Sequence, residues 1–355
     1  MASIEKREGR GNPWRVRYRT PDGKSRSRQF GRKVDAQRFL VEIEHRKNSG
    51  AYLDPSAGKV TFGAFVQQWL AAQTFDPATR EAVETRLRVH ILSTFGAMEI
   101  RAIRPSMVQS WLRGRHESCA ASYVKVILAN LSTILGAAVE DGLIARNPCR
   151  SSAVKAPTVE RDKVVPWTRE RVDVVIRAHP DRYGALPVVA AGCGLRQGEV
   201  FGLRVEDVDF LRRKLHVRQQ VKLLHGKPIF ALPKGGKTRE VPLPDVVATA
   251  VAEHLRAFPA REITLPWESL DGEPTTALLV FTSRQGGALH RTHYNPYVWK
   301  KALRAAGVEP TRANGCTRCG TTTPACCSTL ARASGRWRTT SGTPTPGSPC
   351  ACTRT

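Results

Sequence analysis

The chain has 355 residues, with 56 lysines and arginines against 31 aspartates and glutamates, so its formal net charge is +25 at neutral pH. This length allows two or three domains, and 41% hydrophobic residues can supply their cores. A charge excess of this size indicates a polyanionic partner. Because no long apolar span or amphipathic anchor accompanies it, we expect nucleic acid rather than a membrane.

The first residues and the cysteines bear on the compartment. The opening MASIEKREGRG lacks the apolar segment of a secretory signal peptide, so we expect a cytoplasmic protein. Of nine cysteines, only Cys119, Cys149 and Cys193 precede residue 316, and the other six lie in the last 40 residues. This distribution is not typical of a disulfide framework.

Two short segments near the N-terminus alternate in character, which predicts a β-hairpin. Trp14–Arg19 alternates apolar and basic residues, Thr20–Gly23 is a turn, and the next strand again carries a cation at every second position. A helix over Val34–Lys47 would cover the sheet. Six cations exceed what solubility requires, and a β-ribbon fits the major groove, so we predict a DNA-binding domain over residues 1–55. The alternative is a solvated edge hairpin. The six cations are Arg15, Arg17, Arg19, Lys24, Arg26 and Arg28.

The next part of the chain has helical periodicity. A linker over residues 51–59 precedes an apolar face that begins at Phe62, and further helices are predicted over 79–91, 105–112 and 122–139. They predict a compact helical domain over residues 60–150. A proline-, serine- and charge-rich stretch, 147–162, predicts the next linker.

The most informative stretch is Ala191–Phe210, AGCGLRQGEVFGLRVEDVDF. Its pattern predicts a buried helix that ends at a glycine turn, followed at once by a second helix. Arg196 lies at this junction, where a cation needs an anion or a carboxylate as partner. Glu199, three residues later, can hold it. A purely structural Arg–Glu pair is the alternative to a functional site.

Two motifs in this region resemble those of one family. Gly-Leu-Arg-x-Gly-Glu-x-x-x-Leu over 194–203, followed by Asp207-Val208-Asp209, is similar to the first conserved box of the tyrosine recombinases, the phage integrase family. PKGGKTREVPL over 233–243 resembles the β-hairpin that carries the family's catalytic lysine. The resemblance covers roughly residues 10–314.

The resemblance implies a multidomain protein, mainly α with small β-sheets. Its parts are an N-terminal ββ(β)α arm-binding domain, a helical core-binding domain and an incomplete α+β catalytic domain over 163–314. In the last of these we predict strands of one antiparallel sheet and two further helices. The strands are 214–220, 228–233 and 239–244, and the helices are 245–257 and 297–306.

The resemblance also implies roles for single residues. Arg196 is assigned to the phosphate, because an arginine fork can hold two oxygens where negative charge grows in the transition state. Glu199 is assigned as its orienter, and Lys234, in preference to Lys237, as the proton donor to the leaving 5′ oxygen. Lys237 and Arg239 are expected to contact DNA. Simple phosphate contact is the alternative role for both lysines.

Covalent catalysis by a tyrosine conserves the bond energy as a phosphotyrosine, so neither a metal nor another cofactor is expected. The implied partners are double-stranded DNA at core and arm attachment sites, three further copies of the chain in a tetramer on DNA, and accessory excision or bending proteins.

Two other functions are alternatives to recombination. A repressor-like protein would bind DNA without recombining it, and a metal-dependent transposase would need three converging carboxylates, of which no set stands out.

Residues 315–355 differ in kind from the rest of the chain. They lack Asp, Glu, Val, Ile, Phe, Tyr and Met, and Leu330 is their one long aliphatic residue. Such a segment cannot bury apolar surface, so it is expected to be disordered. A zinc site at Cys316, Cys319, Cys326 and Cys327 is a weaker interpretation, since no symmetric spacing supports it.

A one-base shift of the reading frame explains this tail better. New codons, each built from the last base of one codon and the first two of the next, convert Cys316–Thr321 into His-Ala-Leu-Arg-His, the family's third box. In the same frame Ser341–Thr343 yields glycine and histidine, and Gly347–Thr355 yields a tyrosine-containing segment like that of the family's nucleophile. We therefore expect a frameshifted C-terminus that lacks the second arginine, both histidines and the nucleophilic tyrosine. The chain as written is predicted to bind DNA without cleaving it.

Overall fold

The structure is a computed structural model that describes residues 3–6, 12–19, 23, 25–48, 58–159, 167–311 and 314–315. Lys24 and the segment 316–355 lie outside the described residues. The predicted disorder, zinc site and frameshift all concern that segment. The chain divides into two compact units, with the boundary between residues 161 and 162. Each unit is described by itself.

The first unit begins with a three-stranded antiparallel sheet of order β1-β2-β3, covered on one face by a helix. Val16 and Tyr18 point from the middle strand into a small core, which Ala36 and Ile43 of the helix complete. The alternation of apolar and basic residues therefore buries one face of β2, as period-2 patterns do. The elements are β1 Ser3–Lys6, β2 Trp14–Arg19, β3 Ser25–Phe30 and α1 Lys33–Asn48.

A helical bundle with its own core follows in the same unit. Thr61 and Asp76 cap two of its helices by accepting hydrogen bonds from the backbone N–H of Ala64 and Thr79. One helix continues through a wider turn, Leu87–Ile91, into the next. The helices are α2 Phe62–Ala71, α3 Pro77–Arg86, α4 Leu92–Phe95, α5 Pro105–Ser118 and α6 Ala121–Glu140.

Helix α6 corrects one expectation from composition. Among the described residues it is the one helix long and apolar enough to cross a membrane, although no such span was expected. Its apolar stripe, which includes Val124, Ile127, Leu131 and Leu135, is buried in the core of the bundle. This packing is that of a core helix in a globular domain, which can be as long and as apolar as a membrane-spanning helix.

The second unit mixes helices with small antiparallel sheets around one core. Its helices are α7 Arg169–Arg177, α8 Asp181–Cys193, α9 Gln197–Phe201, α10 Asp245–Ala257, α11 Arg291–Tyr294 and α12 Lys300–Ala305. Its strands are β4 Val208–Asp209, β5 Lys214–Val217, β6 Gln220–Leu224, β7 Lys227–Ala231, β8 Arg239–Pro242, β9 Arg261–Pro266 and β10 Pro274–Leu279. The predicted class, mainly α with small β-sheets, is confirmed.

The predicted arrangement of strands is wrong in one respect. Strand β5 pairs with β4 and β8, whereas β7 pairs with β6 in a separate hairpin, so the segment 228–233 does not join the sheet of its predicted neighbours. The predicted strand 214–220 is divided between β5 and β6 at residues 218–219, and β6 then reverses into β7. A second hairpin, β9-β10, was not predicted.

Candidate active site

The junction between α8 and α9 places Arg196 at the edge of the second unit. Helix α8 ends at Cys193 and is capped by Gly194, whose φ of +65° is a left-handed conformation that favours glycine. Leu195 returns the chain to the core, and Arg196 precedes the first residue of α9. The predicted glycine turn between two helices is therefore present, and it leaves the Arg196 side chain 47% exposed.

Glu199 is the centre of the site. Its side chain is 0% exposed and accepts hydrogen bonds from two arginines. The backbone N–H of Arg196 donates to Oε2 over 2.8 Å, and Arg196 Nη1 donates to Oε1 over 3.0 Å. Arg239, forty residues later on β8, donates Nη1 to Oε1 over 3.0 Å and Nη2 to Oε2 over 2.7 Å. Both carboxylate oxygens therefore have two donors each.

These contacts decide the charge of the site. Burial alone would raise the pKa of Glu199, but the hydrogen bonds from Arg239 and from the backbone and side chain of Arg196 outweigh it, and the pKa lies below its usual value. The bond to Glu199 also raises the already high pKa of Arg239. All three groups are ionised at neutral pH, so the cluster of Arg196, Glu199 and Arg239 carries a net charge of +1.

Two glycines allow α9 to lie directly against β6. A Cβ atom on Gly198 would come within 2.9 Å of the Val221 carbonyl oxygen, and one on Gly202 would come within 2.9 Å of the Gln220 Cα atom. The Gln219 side chain donates to the Gly202 carbonyl over 3.0 Å. Larger side chains at either glycine would push α9, and with it Glu199, away from the sheet.

The loop that carries Lys234 is attached to the same site at both ends. At its start the Gln220 side chain donates to the Leu232 carbonyl over 2.5 Å, and at its end Arg239 contacts Glu199. Lys234 and Lys237 are both exposed between these points. This loop links β7 to β8, which pair with other strands, so Lys234 does not lie at the tip of a hairpin as the resemblance implied.

An amide pair ties the start of α9 to the last helical segment. Gln197 Nε2 donates to Asn295 Oδ1 over 2.6 Å, and Asn295 Nδ2 donates back over 3.4 Å. Neither this pair nor the Glu199–Arg239 contact was predicted. The partners are 98 and 40 residues apart, and no local spacing in the sequence signals them.

The predicted cations of the N-terminal hairpin lie on two faces of its sheet. Strand pairing sets Arg15, Arg17 and Arg19 opposite Gln29, Ser27 and Ser25, so these arginines occupy the face away from α1. On β3 the arginines do not lie opposite the arginines of β2. Arg26 and Arg28 pair with the core residues Tyr18 and Val16 and lie on the helix side, where the Arg28 guanidinium lies 5.0 Å from the Phe39 ring centre. We call the sheet face with Arg15, Arg17 and Arg19 the open cationic face.

Among the described residues, no group of three or more His, Cys, Asp and Glu side chains is placed to hold a metal ion. The predicted charged sites that the structure describes are the cluster at Glu199 and the open cationic face.

Comparison with known proteins agrees with this architecture. The sequence profile of the phage integrase central domain matches residues 62–154. The chain is 29% identical over 267 residues to the prophage phiRv2 integrase of Mycobacterium tuberculosis, a match that covers 71% of this chain and 69% of the relative. It is 26% identical over 312 residues to a tyrosine recombinase XerC-like protein of Caldanaerobacter subterraneus, covering 82% of this chain and 78% of the relative.

Solved structures share the fold at low sequence identity. The Tn1549 transposon integrase in complex with transposon right end DNA has a TM-score of 0.61 at 17% identity, covering 73% of this chain and 84% of the other. A lambda integrase in a tetramer bound to a Holliday junction has a TM-score of 0.55 at 18% identity, covering 89% of each chain.

Proposed function

Because the chain belongs to the tyrosine recombinase, or phage integrase, family, we propose that it acts in site-specific DNA recombination by strand breakage and rejoining through a phosphotyrosine. The observation that carries the proposal is a buried, ionised Glu199 that holds Arg196 half-exposed at the surface. A guanidinium fixed in this way is already oriented for a phosphate and needs little reorganisation when negative charge develops.

In the proposed reaction a tyrosine hydroxyl attacks phosphorus and releases its proton to solvent, the bond to the 5′ oxygen breaks, and the 3′ phosphate remains on the tyrosine. Arg196 stabilises the charge on the non-bridging oxygens. Lys234 donates the proton that the departing 5′ oxygen requires, and its exposed position on a loop anchored at Gln220 and Glu199 supports this role. A metal or another cofactor takes no part in the proposal.

The nucleophile is the missing part. No tyrosine follows Tyr297 in the 355 residues, and Tyr294 is buried and hydrogen-bonded to His179 over 3.2 Å. We propose that residues 316–355 are the frameshifted form of a segment with the third box and the tyrosine. This chain would then bind core sites without cleaving them. The frame change before Cys316 is supported by three motif matches in one frame, and resequencing the codons for Asn314–Cys316 tests it.

The open cationic face is proposed to bind a separate, arm-type DNA site. Three arginines alternate along the middle strand, and the serines and the glutamine beside them on β3 can also donate hydrogen bonds. A three-stranded sheet presents such a face to the major groove without rearrangement. Arg26 and Arg28 are assigned to the edge on the helix side rather than to this face.

Assembly and partners belong to the same proposal. The lambda integrase tetramer on a Holliday junction, which shares the fold, supports a tetramer of this chain on paired core sites. Accessory proteins that bend DNA between core and arm sites would allow both to be bound together. We assign the protein to the cytoplasm, where its DNA would lie.

Selection from a random duplex pool tests the function with the 355-residue chain. The proposal predicts recovery of inverted core sites and of a second, unrelated arm sequence, each protected in a footprint. A repressor-like protein would recover a single operator-type site, and that result would contradict the recombinase assignment.

A further inference from the structure

Arg239 holds Glu199 more completely than Arg196 does. Its two terminal nitrogens contact the two carboxylate oxygens at 3.0 and 2.7 Å, which is the paired geometry that arginine and carboxylate prefer. The Arg196 side chain makes a single hydrogen bond to the same carboxylate, at 3.0 Å. The rest of its guanidinium is therefore available to another anion.

The exposures of the three side chains follow the same order. Glu199 is 0% exposed, Arg239 33% and Arg196 47%, so Arg239 is the less exposed of the two arginines that contact the buried carboxylate. A group in this position is suited to holding Glu199 rather than to replacing Arg196 at the surface.

The charge count gives Arg239 a second effect. With Arg239 present, the cluster carries +1 and can attract a phosphate. Without it, the single charge of Glu199 would neutralise Arg196, and the attraction for a phosphate would disappear although Arg196 itself remained. Lysine could restore the charge, but it is a point charge that cannot reproduce the two-oxygen contact.

We infer that Arg239 is a positioning residue that holds Glu199 and keeps the charge of Arg196 available for the scissile phosphate. This inference rests on the proposed function. It differs from the sequence-based prediction that Arg239 contacts DNA directly, since the paired contact directs both terminal nitrogens toward Glu199.

A scan with neutral phosphate analogues tests this inference on the 355-residue chain. The selected core duplex is made in a series in which one phosphate at a time is replaced by a methylphosphonate, and the Kd of each duplex is measured. At the phosphate bound by Arg196, the parent chain should lose about tenfold in affinity, as expected for one charge-assisted contact. Arg196→Ala should abolish that loss.

Arg239→Ala should abolish the loss at the same phosphate, because it acts through Glu199 and Arg196. Arg239→Lys should retain part of it. Adding Glu199→Gln to Arg239→Ala removes the neutralising charge and should restore part of the discrimination. Arg213→Ala is the matched control, since Arg213 pairs with the exposed Asp245 at 3.0 Å in the same unit, and its scan should equal that of the parent chain.

The phosphate scans distinguish a positioning role of Arg239 from a direct contact with DNA. If Arg239→Ala removes discrimination at a different phosphate, Arg239 contacts DNA directly and the inference is wrong. An unchanged scan, or a collapsed melting transition in both Arg239 variants, would also overturn it. If the parent chain selects no core duplex at all, the proposed function fails first. A core duplex without an Arg196-dependent phosphate leaves DNA binding intact and contradicts the positioning role alone.

Discussion

The open cationic face and the cluster at Glu199 both present arginines to solvent, but they hold them differently. On the sheet, Arg17 forms an exposed ion pair with Glu5 at 3.5 Å. In the cluster, Arg196 and Arg239 share a carboxylate that is completely buried. Loosely paired surface arginines suit affinity through counterion release, whereas arginines fixed by a buried anion suit the stabilisation of one charge at one place.

The largest effect of a single substitution is expected at Glu199. Glu199→Ala leaves two partly buried guanidinium groups without their anion and should lower the free energy of unfolding by about 3 kcal/mol, at the low end for a broken buried pair because both arginines are partly exposed. Urea denaturation of the full chain measures this.

Glu206→Ala is the control for that substitution. Glu206 pairs with Arg204 at 2.6 Å but is largely exposed, and surface pairs contribute under about 1 kcal/mol. Equal losses in the two variants would show that the buried cluster stabilises the fold no more than an exposed surface pair does.

Substitutions on the open cationic face are expected to change the salt dependence of DNA binding and not the stability of the fold. Arg15→Ala, Arg17→Ala and Arg19→Ala together should lower the slope of log affinity against log salt by about 3 for arm-site DNA, at roughly 0.9 for each phosphate that is no longer neutralised. The unfolding free energy should change little, since all three arginines point away from the core.

Arg26→Ala with Arg28→Ala tests the strand register on the same sheet. These residues lie on the helix side, where Arg28 packs against Phe30 and Phe39, so the pair should change the salt slope less and lower the stability of the sheet more. A larger change in slope than that of the three β2 arginines would mean that DNA is bound on the opposite face.

The smallest effect is a pH dependence of the stability of the second unit. Burial lowers the pKa of His179 below its ordinary value of 6.5 despite the opposing hydrogen bond with the Val175 carbonyl. Burial likewise lowers the pKa of His254. The unfolded state therefore binds more protons as the pH falls below about 6.5, so the stability present above that pH is lost progressively.

Hydrogen exchange between pH 8 and 5.5, corrected for its intrinsic rate, should show protection falling in α7 and α8. The N-terminal sheet serves as the internal reference. His179→Leu should make this decline shallower, and a decline of equal size in the sheet would assign the effect to the net charge of the chain instead.

Local patterns predicted the parts of both sites that depend on near neighbours. The Arg196–Glu199 contact follows from a three-residue spacing at a helix start, and Gly194 follows from the need for a left-handed turn. The Glu199–Arg239 contact joins residues 40 positions apart, which only the tertiary fold can bring together. The alternation in β3 predicted a strand, but which set of side chains faces α1 depends on the pairing register with β2, and a shift of one residue exchanges the faces.

Covalent trapping on a nicked suicide duplex is the most direct test of the proposal that this chain retains the phosphate site of a tyrosine recombinase but lacks its nucleophile. The 355-residue chain should yield no covalent protein–DNA band on a denaturing gel. A chain with the reading frame restored before Cys316 should yield one, attached through the tyrosine encoded across Cys352 and Thr353. Adding Arg196→Ala to that chain should slow trapping on the order of 10²–10³-fold. A covalent band from the 355-residue chain, or none from the restored one, would contradict the account.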